Sequence, residues 1–421
     1  MGDGLNAFVG LWLVPRFVPE VDLGALLPLT GFGAILGIPL SILAVPLMKF
    51  LNRFMARGEL GKVKALVGDA CLCAVCLFGL VVIGLWICLN WFLGRVGLAN
   101  GRLGVMVLLC GTVSAFAPVA TSALQGLKQF GTVTALGLLG AICRLGVMVV
   151  ALPLRGVTGY FAGQASPSLL SIGVAGWVLW GRVWRRIVRQ PYWHEVRGEF
   201  GGVLAGVAFY IVATTLQSSA ESLSIRQALT SSESAGYYLI ARFADLAGGL
   251  SGAMLPFLFP VAAEAHLRGH ETRGILLHST WVNVLFGGLI LCAVLLMGHW
   301  LSGWVEAWKV CDNLKFEAFL VCAISTLRGS VICFAMFEIA CDRLRAPLWI
   351  GLLGLLEAGG LFALYDTSDA FGLRACLNAC GYWPLLGSFR AILLFGLLGT
   401  AAQFALIPMW LRRLDEPVEH P

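Results

Sequence analysis

Between residues 27 and 410 the chain is a succession of long apolar stretches broken by short polar turns. A helix needs about 20 apolar residues to cross roughly 30 Å of hydrocarbon. Eleven runs approach or exceed that length, near 27–48, 66–93, 103–124, 132–153, 157–180, 200–220, 234–260, 275–297, 316–338, 347–365 and 385–410. The segment 5–19 is a shorter twelfth candidate, either a clipped span or an interfacial piece. The composition agrees: 59% of residues are hydrophobic and 12% charged, against about 25% charged in soluble domains. A soluble chain this apolar could not cover its own surface with polar groups. No leader peptide is expected, because the apolar start runs into Pro15 and Arg16 without a small-residue cleavage site.

Charge sets the orientation. Basic residues collect on the cytoplasmic side of spanning helices. If the turn after residue 48 is cytoplasmic, the loops on that side hold seventeen Lys and Arg residues and the opposite loops seven. Both termini then lie in the cytoplasm, provided that 5–19 is a span. The net charge of +6 therefore reports membrane topology rather than nucleic-acid binding.

The densest basic run, 181–199, contains Arg182, Arg185, Arg186, Arg189 and Arg197. Six spans precede it and six follow. The halves resemble each other: RGELGK at Arg57–Lys62 is answered by RGHETR at Arg268–Arg273, and Pro39 and Pro46 by Pro256 and Pro260. Repeats with an even number of spans share one orientation. The predicted fold is thus an all-α polytopic membrane protein of about twelve transmembrane helices. Its two six-helix bundles are related by a pseudo-twofold axis along the membrane normal, around a central cavity. The expected divisions are an N-terminal bundle (1–180), a cytoplasmic basic linker (181–199), a C-terminal bundle (200–411) and a short cytoplasmic tail (412–421). Gly33 and Gly37, Gly202 and Gly206, and Gly248 and Gly252 are small-xxx-small pairs that suit close helix packing.

Five arginines fall inside the spans: Arg16, Arg144, Arg242, Arg328 and Arg390. An arginine at the bilayer centre costs roughly 2.5–3.5 kcal/mol on insertion scales, so such residues face a bundle interior or a wet cavity. Five cations at similar depth predict a cavity for an anionic headgroup, since the planar guanidinium meets phosphate oxygens in pairs. The competing expectation is internal pairing. Asp245 lies three residues from Arg242, Glu357 sits at the depth of Arg144 in the other half, and Glu317 and Glu338 flank the span of Arg328. Arg16 and Arg390 are near enough to an interface to snorkel. Glu221, Asp245 and Glu357 are candidates for ion coupling or pairing.

Other polar groupings carry no chemistry. His266 and His270 lie in a short loop and do not form HExxH, and Asp366 and Asp369 lack the further carboxylates of a metal site. Thirteen cysteines, most within apolar runs, match no zinc motif. No Walker sequence or nucleophile elbow is present, so no metal, cofactor, ATPase or other enzymatic site is expected.

Three stretches resemble a known family. LWLVPRFVPEVDLG (Leu11–Gly24) is similar to the end of the first helix of oligosaccharide flippases in the multidrug/oligosaccharidyl-lipid/polysaccharide exporter superfamily. TSALQGLKQFG (Thr121–Gly131) looks like their fourth-helix exit. Ser222–Glu264 resembles their seventh and eighth helices, ending in the "lFP.aa" signature at Leu258–Ala263. The resemblance implies a flippase that moves a polyprenyl-diphosphate-linked oligosaccharide across a bacterial cytoplasmic (inner) membrane by alternating access, for cell-surface polysaccharide or lipopolysaccharide biosynthesis. The implied partners are the lipid-linked glycan, membrane lipids, and glycosyltransferases and a polymerase of the same pathway. Two alternatives stand beside it. One is a cation-coupled multidrug or small-molecule exporter of the same superfamily, which would want an acidic or apolar cavity. The other is a membrane-embedded polysaccharide polymerase or ligase, which would want a large outer loop; the longest here is 366–384.

Overall fold

A computed structural model describes residues 5–6, 8–96, 101–184, 187–267, 273–302, 315–341, 343–365 and 389–411. Eleven long helices carry these residues: α1 (Leu26–Ala56), α2 (Leu60–Val96), α3 (Gly101–Gly126), α4 (Phe130–Arg155), α5 (Val157–Leu179), α6 (Trp193–Ala228), α7 (Ser231–Leu267), α8 (Arg273–Ser302), α9 (Lys315–Ala340), α10 (Arg345–Tyr365) and α11 (Phe389–Leu411). Each coincides with one predicted run, extended by a few residues where polar ends leave the apolar stretch. A short helix precedes them, with a π-helical turn at Val9–Leu13 and an α-helical turn at Val14–Phe17. Its described length from Phe8 is about 15 Å, half of a bilayer's hydrocarbon. The protein is an all-helical membrane protein of about twelve helices. The predicted outer loop 366–384, the predicted tail 412–421 and the turn 268–272 of the second repeat lie outside the described residues.

Local sequence explains the ends. Thr230 caps α7 in a reciprocal box: its backbone N–H donates to Glu233 Oε2 at 3.0 Å, and the Glu233 N–H donates to Thr230 Oγ1 at 3.4 Å. The α4–α5 turn closes on Gly156 at φ +51°, a region that glycine enters without a Cβ clash. Pro39 and Pro46 lie inside α1 without breaking it.

The chain divides into two compact units, residues 1–215 and 216–421. The division falls within α6 rather than in the basic segment 181–199. Each unit is built on the same internal plan. In the first, α1 packs chiefly on α3, α4 on α5, and α3 on α5. In the second, α7 packs chiefly on α9, α10 on α11, and α9 on α11.

Small residues set the leading contacts. A Cβ on Gly33 would meet the Gly111 Cα at 3.8 Å, and one on Gly37 would meet Ala115 at 3.8 Å. In the second unit Gly248 faces Ser325, whose hydroxyl donates to the Ala244 carbonyl at 2.6 Å. Gly202, by contrast, faces open space.

The first unit is laced at one end. Segment 187–192 crosses the α1–α2 turn without regular secondary structure. The Gln190 N–H donates to the Gly61 carbonyl at 3.1 Å, and Lys64 Nζ donates to the carbonyls of Trp184 and Ile187 at 2.9 and 2.8 Å. A Cβ on Gly61 would overlap the Gln190 side chain, so glycine is what permits this approach. Arg189 pairs with Asp69 at 2.5 Å, Arg53 with Glu199 at 2.6 Å, and Lys62 with Glu195. Tyr192 packs edge-on to Phe54, and Phe200 stacks on Phe50. The Lys62 ammonium holds the Glu195 carboxyl below its usual range, and Arg53 does the same to Glu199. Glu195 in turn raises the pKa of Lys62.

Candidate functional site

A buried polar cluster in the second unit is assembled from helix faces. On α9, Ser325, Arg328 and Ile332 share one face by their spacing of three and four. The part of α6 within this unit offers Gln217 and Glu221, four apart. α10 supplies Glu357. α11 supplies a stripe of Gly396, Gly399 and Gln403, in which the two glycines make room for the Glu357 carboxylate.

Arg328 lies between two carboxylates. Its Nη1 is 2.5 Å from Glu221 Oε2, and its Nη2 donates to Glu357 Oε1 at 2.9 Å. The other Glu357 oxygen accepts from Gln217 Nε2 at 2.7 Å. Gln217 Oε1 accepts from Gln403 Nε2 at 3.1 Å, which also donates to the Ile350 carbonyl. The Tyr237 hydroxyl donates to Glu221 Oε1 at 3.4 Å. The side chains of Glu221 and Glu357 are 5% and 2% exposed. Burial at that depth is tolerable only because each carboxylate meets the guanidinium and further donors.

The cluster borders a cavity of about 370 Å³. Glu221, Tyr237 and Arg328 line it together with Ser325, Asp245 and a glycine pair, Gly248 and Gly249. The charged groups on this wall are thus the Glu221 and Asp245 carboxylates and the Arg328 guanidinium, which is already engaged. It is not a basic cavity.

The five predicted cavity cations separate into two kinds. Arg242 pairs with Asp245 at 2.8 Å, as their spacing predicted, and lies over the Tyr238 ring. Arg328 is held as described. Arg390 pairs with Glu317 at 2.6 Å. The flanking-residue expectation for Arg328 therefore fails, because Glu317 belongs to Arg390 and the partners of Arg328 come from α6 and α10. In the first unit, Arg144 is buried and donates to Asn6 Oδ1 at 3.2 Å, while Arg16 is exposed with its guanidinium 4.0 Å from the Trp12 ring centre. Of the coupling candidates, Glu221 and Asp245 share the cavity wall and Glu357 lies behind Arg328. Gln217, Gln403 and Tyr237 were not singled out from sequence, although a lone glutamine in an apolar helix such as α11 is a usable signal. Among the described residues no group of His, Cys, Asp and Glu has a metal-binding arrangement.

No family model matches the chain, and no curated protein sequence matches it significantly. Solved structures do. An inward-facing multidrug-resistance MATE family transporter of the MOP superfamily superposes with a TM-score of 0.67 at 14% identity, covering 99% of this chain and 96% of that one. An outward-facing structure of a MATE transporter of that superfamily gives 0.67 at 14%, covering 98% and 92%. A point mutant of the Vibrio cholerae MATE transporter VcmN gives 0.70 at 15%, covering 98% and 94%. These likenesses show that the chain shares the fold of these MATE transporters over essentially its whole length.

Proposed function

We propose that this chain is a secondary transporter that moves a polyprenyl-diphosphate-linked oligosaccharide across a bacterial inner membrane by alternating access. One observation carries the transport reading: the chain fits, nearly end to end, a fold solved in both inward- and outward-facing forms. The cargo rests on the flippase-like stretches Leu11–Gly24 and Ser222–Glu264 and on the exposure of Arg16 within the first of them. Glycosyltransferases and a polymerase are the partners this cargo requires, before and after translocation.

The chain lacks a nucleotide-phosphate loop, so the driving force is an ion gradient or the removal of cargo on the far side. Glu221 and Glu357 share one guanidinium. That leaves one carboxyl group in excess, to be balanced by a proton or a small cation.

A cation-coupled small-molecule exporter is the second reading, and the carboxylate-bearing cavity wall is what favours it. One reconstitution separates the two. Purified protein in liposomes carries a fluorescent lipid-linked oligosaccharide in one arm and ethidium in the other, with and without imposed proton or sodium gradients. Translocation of the glycan lipid without ethidium transport is the expected result. Ethidium transport alone would overturn the cargo assignment.

A further inference from the structure

The π-helical turn near the N-terminus has a geometric purpose. In an α-helix, positions 9 and 14 would diverge by about 140°. Here the Val14 N–H reaches back five residues to the Val9 carbonyl, and both valines are fully buried where the short helix packs on α4. The widened turn places both anchors on one packed face. The other face then carries a ladder of three side chains, each four residues from the next. Phe8 stacks on Trp12 at 5.1 Å and 23°, and the Arg16 guanidinium carbon lies over the Trp12 ring, 4.0 Å from its centre. Phe8 is 46% exposed and Arg16 is exposed. Among the described residues no carboxylate pairs with Arg16, unlike Arg242, Arg328 and Arg390. π-Turns cluster at functional positions because their irregular ladder is worth keeping only for a purpose.

We propose that Trp12 is a positioning residue for Arg16. The indole face holds the guanidinium flat and leaves its N–H edge to meet two oxygens of an oxyanion on the cargo. This rests on the cargo reading above. A flat, edge-presented guanidinium selects planar pairs of oxygens, which a lysine ammonium does not. A lipid diphosphate and a sugar carboxylate share that chemistry.

The test uses the full chain in detergent, with binding of farnesyl diphosphate and of glucuronate measured by calorimetry. Trp12→Leu is expected to weaken binding of one of these about two- to fivefold, the scale of an exposed cation–π contact. Trp12→Phe restores most of it, and Arg16→Lys weakens it despite keeping the charge. In an Arg16→Gln background, Trp12→Leu has no further effect, as required when one residue acts through the other. Dependence on Trp12 for farnesyl diphosphate identifies the diphosphate as the oxyanion, and dependence for glucuronate identifies the sugar. Equal loss in both backgrounds, or unchanged binding with a lowered unfolding temperature, makes the ladder a membrane anchor and overturns the proposal. Absence of binding to wild type overturns it too. Glycan translocation in liposomes is scored separately, so a transporting wild type with indifferent Trp12 and Arg16 variants removes the positioning role and leaves the transport reading standing.

Discussion

The two units share a plan of helix contacts but place their charges differently. In the first, ion pairs gather at one end, where Arg53, Lys62 and Arg189 tie the start of α6 and the segment before it to the α1–α2 turn. The leading contact of that unit is a seam of small residues, Gly33 and Gly37 against Gly111 and Ala115. In the second, Arg328 holds α6 and α10 to α9 from within, and the glutamines extend the network to α11. Close-packed small residues suffice to pair helices in lipid. The buried charges of the second unit are therefore an addition to the plan, and they mark that half for a task that packing alone does not require.

The largest test of this contrast is Arg328→Met. It strands two buried carboxylates and should cost about 3–5 kcal/mol, read from thermal unfolding in detergent. Glu221→Gln and Glu357→Gln added to it should recover most of the loss, since a network neutralised as a whole leaves no uncompensated charge. A triple variant as unstable as the single one would show that the charges are needed for the packing itself. Next comes the seam. Gly248→Ala brings a Cβ within 2.6 Å of the Ser325 hydroxyl and 3.2 Å of its carbonyl oxygen, and overpacking of this kind costs about 1–3 kcal/mol. Gly33→Ala meets only ordinary contact at 3.8 Å and should be neutral or slightly stabilising by the same melt. Equal penalties would erase the distinction between the two seams.

The smallest effect is at the charged end of the first unit. Glu195 and Glu199 are held below the usual carboxylate range by Lys62 and Arg53. Their contribution is present above the unfolded value and is lost as pH falls through the depressed folded value, beginning below about pH 4. The raised Lys62 behaves oppositely: its contribution is complete below the unfolded lysine value and disappears as pH rises through the folded one. Amide protection at 187–200, taken relative to the intrinsic exchange rate at each pH, should therefore fall at both extremes. A flat profile would mean that backbone and aromatic contacts alone hold the segment.

Sequence made the helices legible because lipid imposes a length and an apolarity that a reader can count. Arg242 with Asp245 was legible for a similar reason, since both lie on one face of one helix. The partners of Arg328 were not. Glu317 and Glu338 are nearer in sequence, but a rise of 1.5 Å per residue puts them about 15 Å along α9 in either direction. Glu221 and Glu357 reach it only through the choice of neighbouring helices, which periodicity does not encode. Arg242, Arg328 and Arg390 each meet a carboxylate, the internal pairing that the sequence set beside a basic cavity. The sequence showed the cations and the candidate carboxylates, but not which of them meet across helices.

α6 runs unbroken for 36 residues through the boundary between the units. Its first half carries Glu195, Glu199 and Phe200, which answer to residues of the first unit, and its second half carries Gln217 and Glu221, which answer to the second. A chimera that exchanges halves with a related chain at the loop before Trp193 would give the resident Lys62 and Arg53 a foreign set of partners. A junction near Thr215 keeps Glu195, Glu199 and Phe200 with their partners in the first unit and Gln217 and Glu221 with theirs in the second. For recombination, natural or engineered, the natural seam of this molecule is thus the middle of a helix.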